Sequence, residues 1–241
     1  MLHYAHNGIR TGFNLALEQV VLRRSAEPAF WFWRDMPSII VGRHQTVADE
    51  VNLSESMRRS VPVFRRASGG GAVYHDLGVF NFTFVLPEDA SVSRALSSVI
   101  GILGVSGVAT ERNDVLVDGR KIIGTAQFVS GSRRLFHGCL LYAADLDALS
   151  NLLSPSPCKL RRHGVSSVRA RVVNLSTLLP RPTSSVDAYF SALRCRAAHA
   201  FAGPVHPVPD EFLAEAEDLS GMPQFSQINF ESLQPDNLHS S

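Results

Sequence analysis

Residues 112–128 of the chain read RNDVLVDGRKIIGTAQF and contain its strongest hairpin signal. Two runs of strand-forming residues, 114–117 and 120–128, are separated only by Asp118-Gly119. Asp-Gly between two such runs is the strongest short-range signal for a hairpin with a two-residue turn, because both turn residues need a positive φ. The sequence therefore predicts two antiparallel strands here.

The register of this hairpin brings a carboxylate close to an ammonium. A two-residue turn pairs Leu116 with Lys121 and Asp114 with Ile123, so Asp114 and Lys121 become diagonal neighbours, about 7–8 Å apart before side-chain reach. Mg²⁺ takes one or two carboxylates together with substrate phosphate oxygens, so the pair suits a metal and a phosphate. Taken alone, it is better explained as a surface ion pair worth about 0–1 kcal/mol.

Outward from the hairpin, the chain reads as short strands with a few helices between them. Strands are predicted over 29–33, 38–41, 61–64, 72–75, 79–86 and 135–142, and helices over 14–24, 90–103, 145–153 and 186–201. The helix over 14–24 reads as amphipathic, and the strand over 79–86 has the alternation of a half-buried strand. After residue 203, prolines and weak periodicity predict a partly irregular end. We expect an α+β fold with a mixed, largely antiparallel sheet flanked by helices.

The overall composition excludes several classes of protein. The chain has 241 residues, with 23 Lys and Arg against 22 Asp and Glu and a charged fraction of 19%. These values do not suit a disordered chain, nor a nucleic-acid-binding protein, which is usually basic. Three Cys without a C-x-x-C spacing predict a reducing compartment and no zinc site. No secretory leader or membrane-spanning run is visible, so we expect a soluble, cytoplasmic protein without a membrane partner.

Charge is balanced overall but not locally. Residues 154–186 contain six Lys and Arg and no acidic residue, whereas residues from 197 onward contain seven Asp and Glu and no Lys or Arg. The basic segment suits a polyanionic ligand or an acidic protein partner. On spacing alone, a solvated basic face followed by an acidic tail is the favoured interpretation.

A second candidate site is the glycine-rich stretch RRASGGG at residues 65–71, between two predicted strands. Three glycines let the backbone approach a ligand closely, and exposed N–H groups beside a guanidinium form an anion site. No Gly-Lys-Ser/Thr follows, so the stretch is not a P-loop, and it lacks the spacing of a dinucleotide fingerprint. Taken alone, the stretch is slightly better explained as a flexible hairpin loop.

A third candidate is the pair His137 and Cys139 on the predicted strand over 135–142. Residues two apart on a strand point to the same face, and a histidine can activate a thiol. No Asp or Asn that would orient the histidine is identifiable from the sequence. A structural cysteine is favoured, because small buried thiols are common core fillers.

Together these segments resemble the lipoate–protein ligases, within the wider superfamily of lipoate and biotin ligases and octanoyltransferases. The resemblance extends from about residue 12 to about residue 180, with its motifs in the family's order. They are FNLA (13–16), VGRHQ (41–45), EVN (50–52), RRASGGGAVYHDLG (65–78), RND (112–114), DGRKIIGTAQ (118–127), HGCLL (137–141) and SSVRARVVNL (166–175).

The resemblance implies a fold and a two-step reaction. The fold is the biotin/lipoate ligase type, related to class II aminoacyl-tRNA synthetases, with a catalytic domain at 1–203 and a short acidic extension at 204–241. Lipoate is activated with ATP and Mg²⁺ to lipoyl-AMP, and the lipoyl group then passes to a lysine of a lipoyl-carrier domain. The resemblance implies two partners. One is the lipoyl-carrier domain, which is typically acidic in this family. The other is a separate accessory subunit, since the extension is too short for the family's accessory domain.

The resemblance also assigns residues to the site. Lys121 would be the catalytic residue, Asp114 the Mg²⁺ ligand and Asn113 a donor to phosphate, with Val73 and Phe80 walling a tunnel for the acyl chain. The residues implied in binding substrate or adenylate are Arg66, Ser68, Gly69, Gly70, Gly71, Val73, His75, Asn113, Gly124, Ala126, His137, Ser167 and Arg169.

Two departures from the family's pattern concern the site. Ile123 stands where Ser is usual, and Cys139 stands where Thr is usual.

Three other functions stay open. A cysteine octanoyltransferase is one alternative, although the branch nearest the ligases carries its Cys before the Lys121 hairpin, where this chain has none. The others are a non-catalytic binding module, disfavoured by the intact Lys121, and a biotin ligase, whose basic Gly/Arg-rich loop is not visible.

Overall fold

The computed structural model describes residues 1–111, 114–153, 172–180 and 185–228. Its strands are β1 Leu2–Ala5, β2 Ala29–Trp33, β3 Ser38–Val41, β4 Val63–Arg65, β5 Val73–His75, β6 Val79–Pro87, β7 Val108–Ala109, β8 Val115–Val117, β9 Arg120–Ser130, β10 Arg133–Leu141 and β11 Val205–Pro207. Its helices are α1 Thr11–Arg24, α2 Val47–Glu50, α3 Leu53–Arg58, α4 Val92–Leu103, α5 Leu146–Leu152, α6 Val186–Ala200 and α7 Asp210–Ser220, with a 3-10 turn at Leu175–Thr177.

Eight of these strands form one large mixed sheet, and three form a small one. The order in the large sheet is β11-β1-β2-β6-β10-β9-β8-β7, and in the small sheet β4-β3-β5. Along the large sheet, every pairing in the part β2-β6-β10-β9-β8-β7 is antiparallel, whereas β11, β1 and β2 run parallel to one another. The predicted α+β class, with a mixed and largely antiparallel sheet, is confirmed.

Both faces of the large sheet are buried in its centre, because helices cover each of them. In β2 every residue is buried, with Phe30 and Phe32 in the core beneath α4 and α6, and Trp31 and Trp33 in the core beneath α1. Seven consecutive residues of β6, from 79 to 85, are likewise buried. The prediction of a half-buried strand is therefore wrong, since the polar residues between its phenylalanines face a second layer and not solvent.

Helix α1 differs from the predicted amphipathic helix, because it is buried on almost every side. It packs between the large sheet, the small sheet and α7, and its hydroxyl at Thr11 donates to Ser38 Oγ at 2.9 Å. Burial by neighbouring elements explains its apolar character. Within the described ranges no helix has both the length and the hydropathy that crossing a bilayer requires.

The chain after residue 203 is more ordered than predicted. β11 pairs in parallel with β1, and α7 packs onto α1 through Phe212 and Ala216. The expectation of an irregular segment is therefore wrong for Val205–Pro207 and for α7. The boundary predicted at residue 203 falls where the sheet itself continues, and the role of residues 204–241 as a separate extension stays a prediction.

The hairpin predicted from Asp118-Gly119 is present, with φ of 50° and 73° at its two turn residues. The pairing of Leu116 with Lys121 is confirmed, but Val115, and not Asp114, lies opposite Ile123, because the register shifts at a β-bulge. Such a shift breaks the strict alternation of side chains. Here it lets the consecutive residues Ile122 and Ile123 both be buried in one core.

Candidate active site

A cavity of about 130 Å³ lies where the large sheet meets the small sheet and α1. Its walls come from α1, from strands β2, β3, β5, β6, β9 and β10, and from the loop between β4 and β5. Leu15, Trp33, Ile40 and Val73 give it an apolar side, and its charged or titratable lining groups are Arg66, His75, Lys121, His137 and Cys139. A mostly apolar cleft with a few convergent polar groups is the usual form of a small-molecule site.

Most of the residues predicted for the site meet in this cavity. Those that line it are Arg66, Gly71, Val73, His75, Lys121, Gly124, Ala126 and His137. Ser68, Gly69 and Gly70 belong to the adjoining loop and not to the cavity wall. Phe80 is fully buried in the core beneath α4 and α6, so the expectation that it walls the tunnel is wrong. Asn113, Ser167 and Arg169 lie outside the described residues.

Lys121 lies at the edge of this cavity, held by a carboxylate. Its Nζ is 3.0 Å from Asp114 Oδ1, and both side chains are about one third exposed or less. A Cβ placed on Gly124 would lie 3.0 Å from Nζ, so a side chain at this position would crowd the ammonium. The predicted proximity of the two charges is therefore present, in a register different from the predicted one.

The Arg66 guanidinium lies in the cavity wall and is committed mainly to the glycine-rich loop. Its Nη2 donates to the carbonyls of Gly69 and Gly71 at 2.6 and 2.7 Å, its Nε to Ser68 Oγ and its Nη1 to the carbonyl of Ile40. These bonds use four of the five N–H groups of the side chain. Burial lowers the pKa of Arg66 to about 10, which leaves it cationic at neutral pH. Arg66 thus shapes the loop, and direct contact with a phosphate stays a prediction.

Behind the cavity wall runs a chain of hydrogen bonds that includes a carboxylate the sequence reading missed. Glu18 Oε1 is 2.8 Å from His137 Nδ1 and accepts a bond from the Thr83 hydroxyl, while His137 Nε2 is 2.7 Å from Ser68 Oγ. Ser68 is fully buried, so it acts on the cavity only through His137 and Arg66. The sequence does contain a signal for Glu18. Asn14 and Glu18 are polar residues one turn apart on a helix whose other inward residues are mostly apolar.

A second buried carboxylate stands behind His75. Asp35 is completely buried, and its Oδ2 is 2.9 Å from His75 Nδ1, while its Oδ1 accepts a bond from Asn14 Nδ2 at 2.8 Å. Cys139 lines the cavity on the other side of His75 and also packs against a hydrophobic core. Burial acts to raise the pKa of its thiol, but His75, Lys121 and Arg66 outweigh burial and lower it. The interpretation of Cys139 as a structural cysteine stays a prediction.

The family model for the lipoyl protein ligase A/B catalytic domain matches residues 10–196. Lipoate–protein ligase 1 of Staphylococcus aureus is 38% identical over 178 residues, which are 70% of this chain and 54% of that protein. The chain thus spans about half the length of this curated relative.

Solved structures show the same similarity. One belongs to an archaeal lipoylation system, a bi-partite lipoate protein ligase and its E2 lipoyl domain from Thermoplasma acidophilum. It has a TM-score of 0.76 and 26% identity, covering 100% of this chain and 98% of that one. Another is LipL1 of P. falciparum in complex with lipoate, with a TM-score of 0.74 and 27% identity, covering 91% of this chain and 71% of that one.

Proposed function

This chain belongs to the lipoyl protein ligase A/B catalytic-domain family, and from that premise we propose that it is a lipoate–protein ligase. It would activate lipoate with ATP and Mg²⁺ to lipoyl-AMP and transfer the lipoyl group to a lysine of a lipoyl-carrier domain. One observation carries the proposal: the Lys121 ammonium stands at the edge of a largely apolar cavity between two sheets.

The cavity suits an acid with an apolar tail and one anionic end. Trp33, Ile40 and Val73 would line the acyl chain and its ring, while Lys121 would face the carboxylate. Arg66, through the loop carbonyls it holds, would keep the opposite wall in place. The lipoate-bound P. falciparum relative supports this choice of substrate.

In the activation step a lipoate carboxylate oxygen attacks the α-phosphorus of ATP, and pyrophosphate leaves. Lys121 would neutralise charge that develops on the phosphate, a fixed cation being most effective where water is excluded. Asp114 would hold Mg²⁺, which would offset the charge of the polyphosphate. A single carboxylate fits this metal, whose other ligands are phosphate oxygens and waters.

In the transfer step the ε-amine of the carrier lysine attacks the lipoyl carbonyl, and AMP leaves. Lys121 would then stabilise the oxyanion of the tetrahedral intermediate. An acidic lipoyl domain is the proposed partner, and the archaeal structure of a bi-partite lipoate protein ligase and its E2 lipoyl domain supports a lipoyl-domain partner. That ligase is bi-partite, which supports a separate accessory subunit for this chain as well.

The test is mass spectrometry of an apo lipoyl domain after incubation with the purified chain. One reaction contains Mg²⁺, ATP and lipoate, and a second contains synthetic lipoyl-adenylate in their place. A lipoyl mass gain in both identifies a complete ligase; a gain only with the adenylate identifies a transferase that needs a partner for activation. Lys121→Ala should abolish the gain, while Arg120→Ala, which alters the exposed neighbour in the same turn, should keep it. No gain in either reaction would refute the proposal.

A further inference from the structure

Glu18 is a buried carboxylate that the proposed reaction does not use. It belongs to α1, is 2% exposed and does not itself line the cavity. Its Oε1 is 2.6 Å from Thr83 Oγ1 and 2.8 Å from His137 Nδ1. Thr83 and His137 are cross-strand partners in β6 and β10. The register of the large sheet therefore presents both side chains to one carboxylate.

One line of hydrogen bonds, the Trp33 branch, runs from the apolar wall of the cavity to Glu18. Trp33 lines the cavity, and its Nε1 donates to Thr83 Oγ1 at 2.8 Å. An indole nitrogen is a donor only, so the Thr83 hydroxyl accepts from it and gives its own proton to Glu18. Thr83 is completely buried, and its bond to Glu18 therefore sets the orientation of its hydroxyl.

A second line, the Arg66 branch, runs from the glycine-rich loop to the same carboxylate. Arg66 Nε donates to Ser68 Oγ at 3.0 Å, and a guanidinium is a donor only. The Ser68 proton therefore points to His137 Nε2, which lies 2.7 Å away and accepts it. The proton of the His137 ring is then on Nδ1, where it is donated to Glu18.

Both branches end on the same acceptor. Every donor in them points toward Glu18, and a carboxylate offers acceptors only. At their far ends stand two walls of the cavity. One is the Trp33 indole, and the other is the loop whose carbonyls at Gly69 and Gly71 accept from Arg66 Nη2 at 2.6 and 2.7 Å. Glu18 is thus the group on which the direction of both branches depends.

The loop that Arg66 holds is closely packed. Gly70 has φ of 90°, a conformation that glycine permits, and a Cβ placed on Gly42 would overlap the carbonyl oxygen of Gly70. The loop therefore lies directly against the residue that follows β3. Since Arg66 bridges the carbonyls on either side of Gly70, the orientation of its guanidinium decides where this wall of the cavity lies.

We propose that Glu18 is a positioning residue for the acyl ligand of the cavity, the choice of lipoate as that ligand resting on the proposed function. As the common acceptor, Glu18 sets the direction of the Trp33 and Arg66 branches. It thereby fixes the indole and the glycine-rich loop relative to each other before the ligand enters, which lowers the cost of ordering them on binding. A proton on Nδ1 of His137, and not on Nε2, is the observable sign of this arrangement.

The primary test reads the position of the His137 proton by nitrogen NMR of the ring, with His137→Asn to identify its signals. In the wild-type chain we expect the proton on Nδ1. In Glu18→Met, an unbranched side chain without an acceptor, it should move to Nε2, because a buried N–H without an acceptor is costly. Ser68→Ala and Thr83→Val each cut one branch but keep Glu18, so both should keep the proton on Nδ1. A wild-type proton on Nε2, or an unchanged proton in Glu18→Met, overturns the proposal.

A second test measures lipoate affinity by calorimetry, without ATP or a carrier domain. Glu18→Met, Ser68→Ala and Thr83→Val should each weaken binding by about 5-fold or more, the equivalent of one lost buried hydrogen bond. In the Glu18→Met background the other two substitutions should add little, because the branches have already lost their common acceptor. Losses that multiply fully in the double variants would show that Glu18 does not couple the branches, and would overturn the proposal.

Two controls separate positioning from loss of stability. Leu96→Ala truncates a fully buried residue of α4, in the core on the other face of the large sheet. It should lower the urea midpoint but keep the lipoate affinity and the Nδ1 proton of His137. Glu18→Gln keeps an acceptor oxygen and should recover most of the affinity lost in Glu18→Met. Equal losses of affinity in Leu96→Ala and Glu18→Met would reduce Glu18 to a structural residue.

The failure of this proposal and that of the ligase proposal give different results. A chain that binds lipoate with the expected variant effects but fails in the reaction with ATP and lipoate would refute only the ligase activity. A Glu18→Met chain that ligates lipoate with the wild-type KM would overturn only the role of Glu18. A wild-type chain that binds no lipoate would overturn both.

Discussion

The Asp114 carboxylate lies 3.0 Å from the Lys121 ammonium, although Asp114 precedes β8 and Lys121 is paired with Leu116. The contact therefore depends on the bulge in this hairpin and not on direct cross-strand pairing. A partly exposed pair of this kind adds about 0–1 kcal/mol to stability, so positioning of charge at the cavity is its more important effect.

Asp114→Asn should separate the two steps of the proposed reaction. The substitution removes the Mg²⁺ ligand but keeps the shape of the side chain, so formation of lipoyl-adenylate should fall by about 100-fold, the usual loss when one preorganised electrostatic contact is removed. Transfer from synthetic lipoyl-adenylate, which carries no polyphosphate, should fall much less. Pyrophosphate release and mass gain of the lipoyl domain measure the two steps.

The control for Asp114→Asn is Asp118→Asn, at the turn of the same hairpin, which should leave both rates unchanged. Equal losses in both steps for Asp114→Asn would contradict the assignment of Asp114 to the metal.

The site could be predicted only where its chemistry is local in sequence. Lys121 and the glycine-rich loop are recognisable because a turn signal or a motif surrounds them. Glu18 and Asp35 were missed, because each becomes functional only when it meets a histidine from a distant strand, His137 or His75. No periodicity or spacing encodes a contact between residues that far apart along the chain.

Glu18→Ala should destabilise the fold more than its charge alone suggests. The change leaves the buried Nδ1 of His137 and the hydroxyl of Thr83 without their acceptor, and an unsatisfied buried polar group costs about 1–3 kcal/mol. Glu18→Gln keeps an acceptor oxygen and should lose less. Urea unfolding measures both, with Glu27→Ala, an exposed position beyond the same helix, as the control. A loss no larger than that of the control would mean that the chain from Glu18 to Ser68 contributes nothing to stability.

Gly119→Ala should destabilise the hairpin through the backbone alone. Gly119 has φ of 73°, a region that costs an L-residue about 1–2 kcal/mol, and no atom lies within 4 Å of the position an added Cβ would take. Gly101→Ala is the matched control, since that site is equally open but lies in α4, where alanine is favoured by about 0.5–1 kcal/mol. Opposite signs of the two changes in the free energy of unfolding are expected. The same sign for both would show that the turn does not need its left-handed conformation.

His75 should titrate far above an ordinary histidine. Its pKa is raised to about 9, chiefly because the bond and charge of Asp35 outweigh burial, so the ring should remain cationic at pH 7.5. Asp35→Asn keeps the burial and removes the charge, which should bring the pKa below the usual value of about 6.5. NMR titration of the His75 ring measures both values. A wild-type pKa near 6.5 would contradict the charged pair with Asp35.

The same shift gives stability a defined dependence on pH. Because the pKa of His75 in the folded chain exceeds its unfolded value, its contribution is complete below about pH 6.5 and is lost as pH rises through about 9. Cys139 acts in the opposite direction, since its pKa is lowered in the fold. The free energy of unfolding of Cys139→Ser should therefore fall over this pH window, and Asp35→Asn in that background should flatten the curve.

The fold shows the same limit on sequence-based prediction. The hairpin at Asp118-Gly119 is predictable because two adjacent residues dictate its turn. The burial of both faces of β6 is not, because alternation of apolar and polar residues looks the same whether the polar face meets water or a buried polar layer. The pairing of β11 with β1 joins opposite ends of the chain, and prolines at 204, 207 and 209 hide it from any local pattern.

Phe212→Ala should therefore be the most damaging change in the C-terminal part of the described chain. Phe212 is 8% exposed in the core that α7 shares with α1, and truncating a buried phenylalanine costs about 3–5 kcal/mol. Glu217→Gln, on the same helix, removes only an exposed ion pair with Arg10 and should leave the urea midpoint nearly unchanged. Since α1 also carries Asn14 and Glu18, loosening α7 should lower lipoate affinity together with stability. A Phe212→Ala chain with wild-type stability would mean that α7 belongs to a separate extension, as the predicted boundary at residue 203 implies, and not to the layer that supports the site.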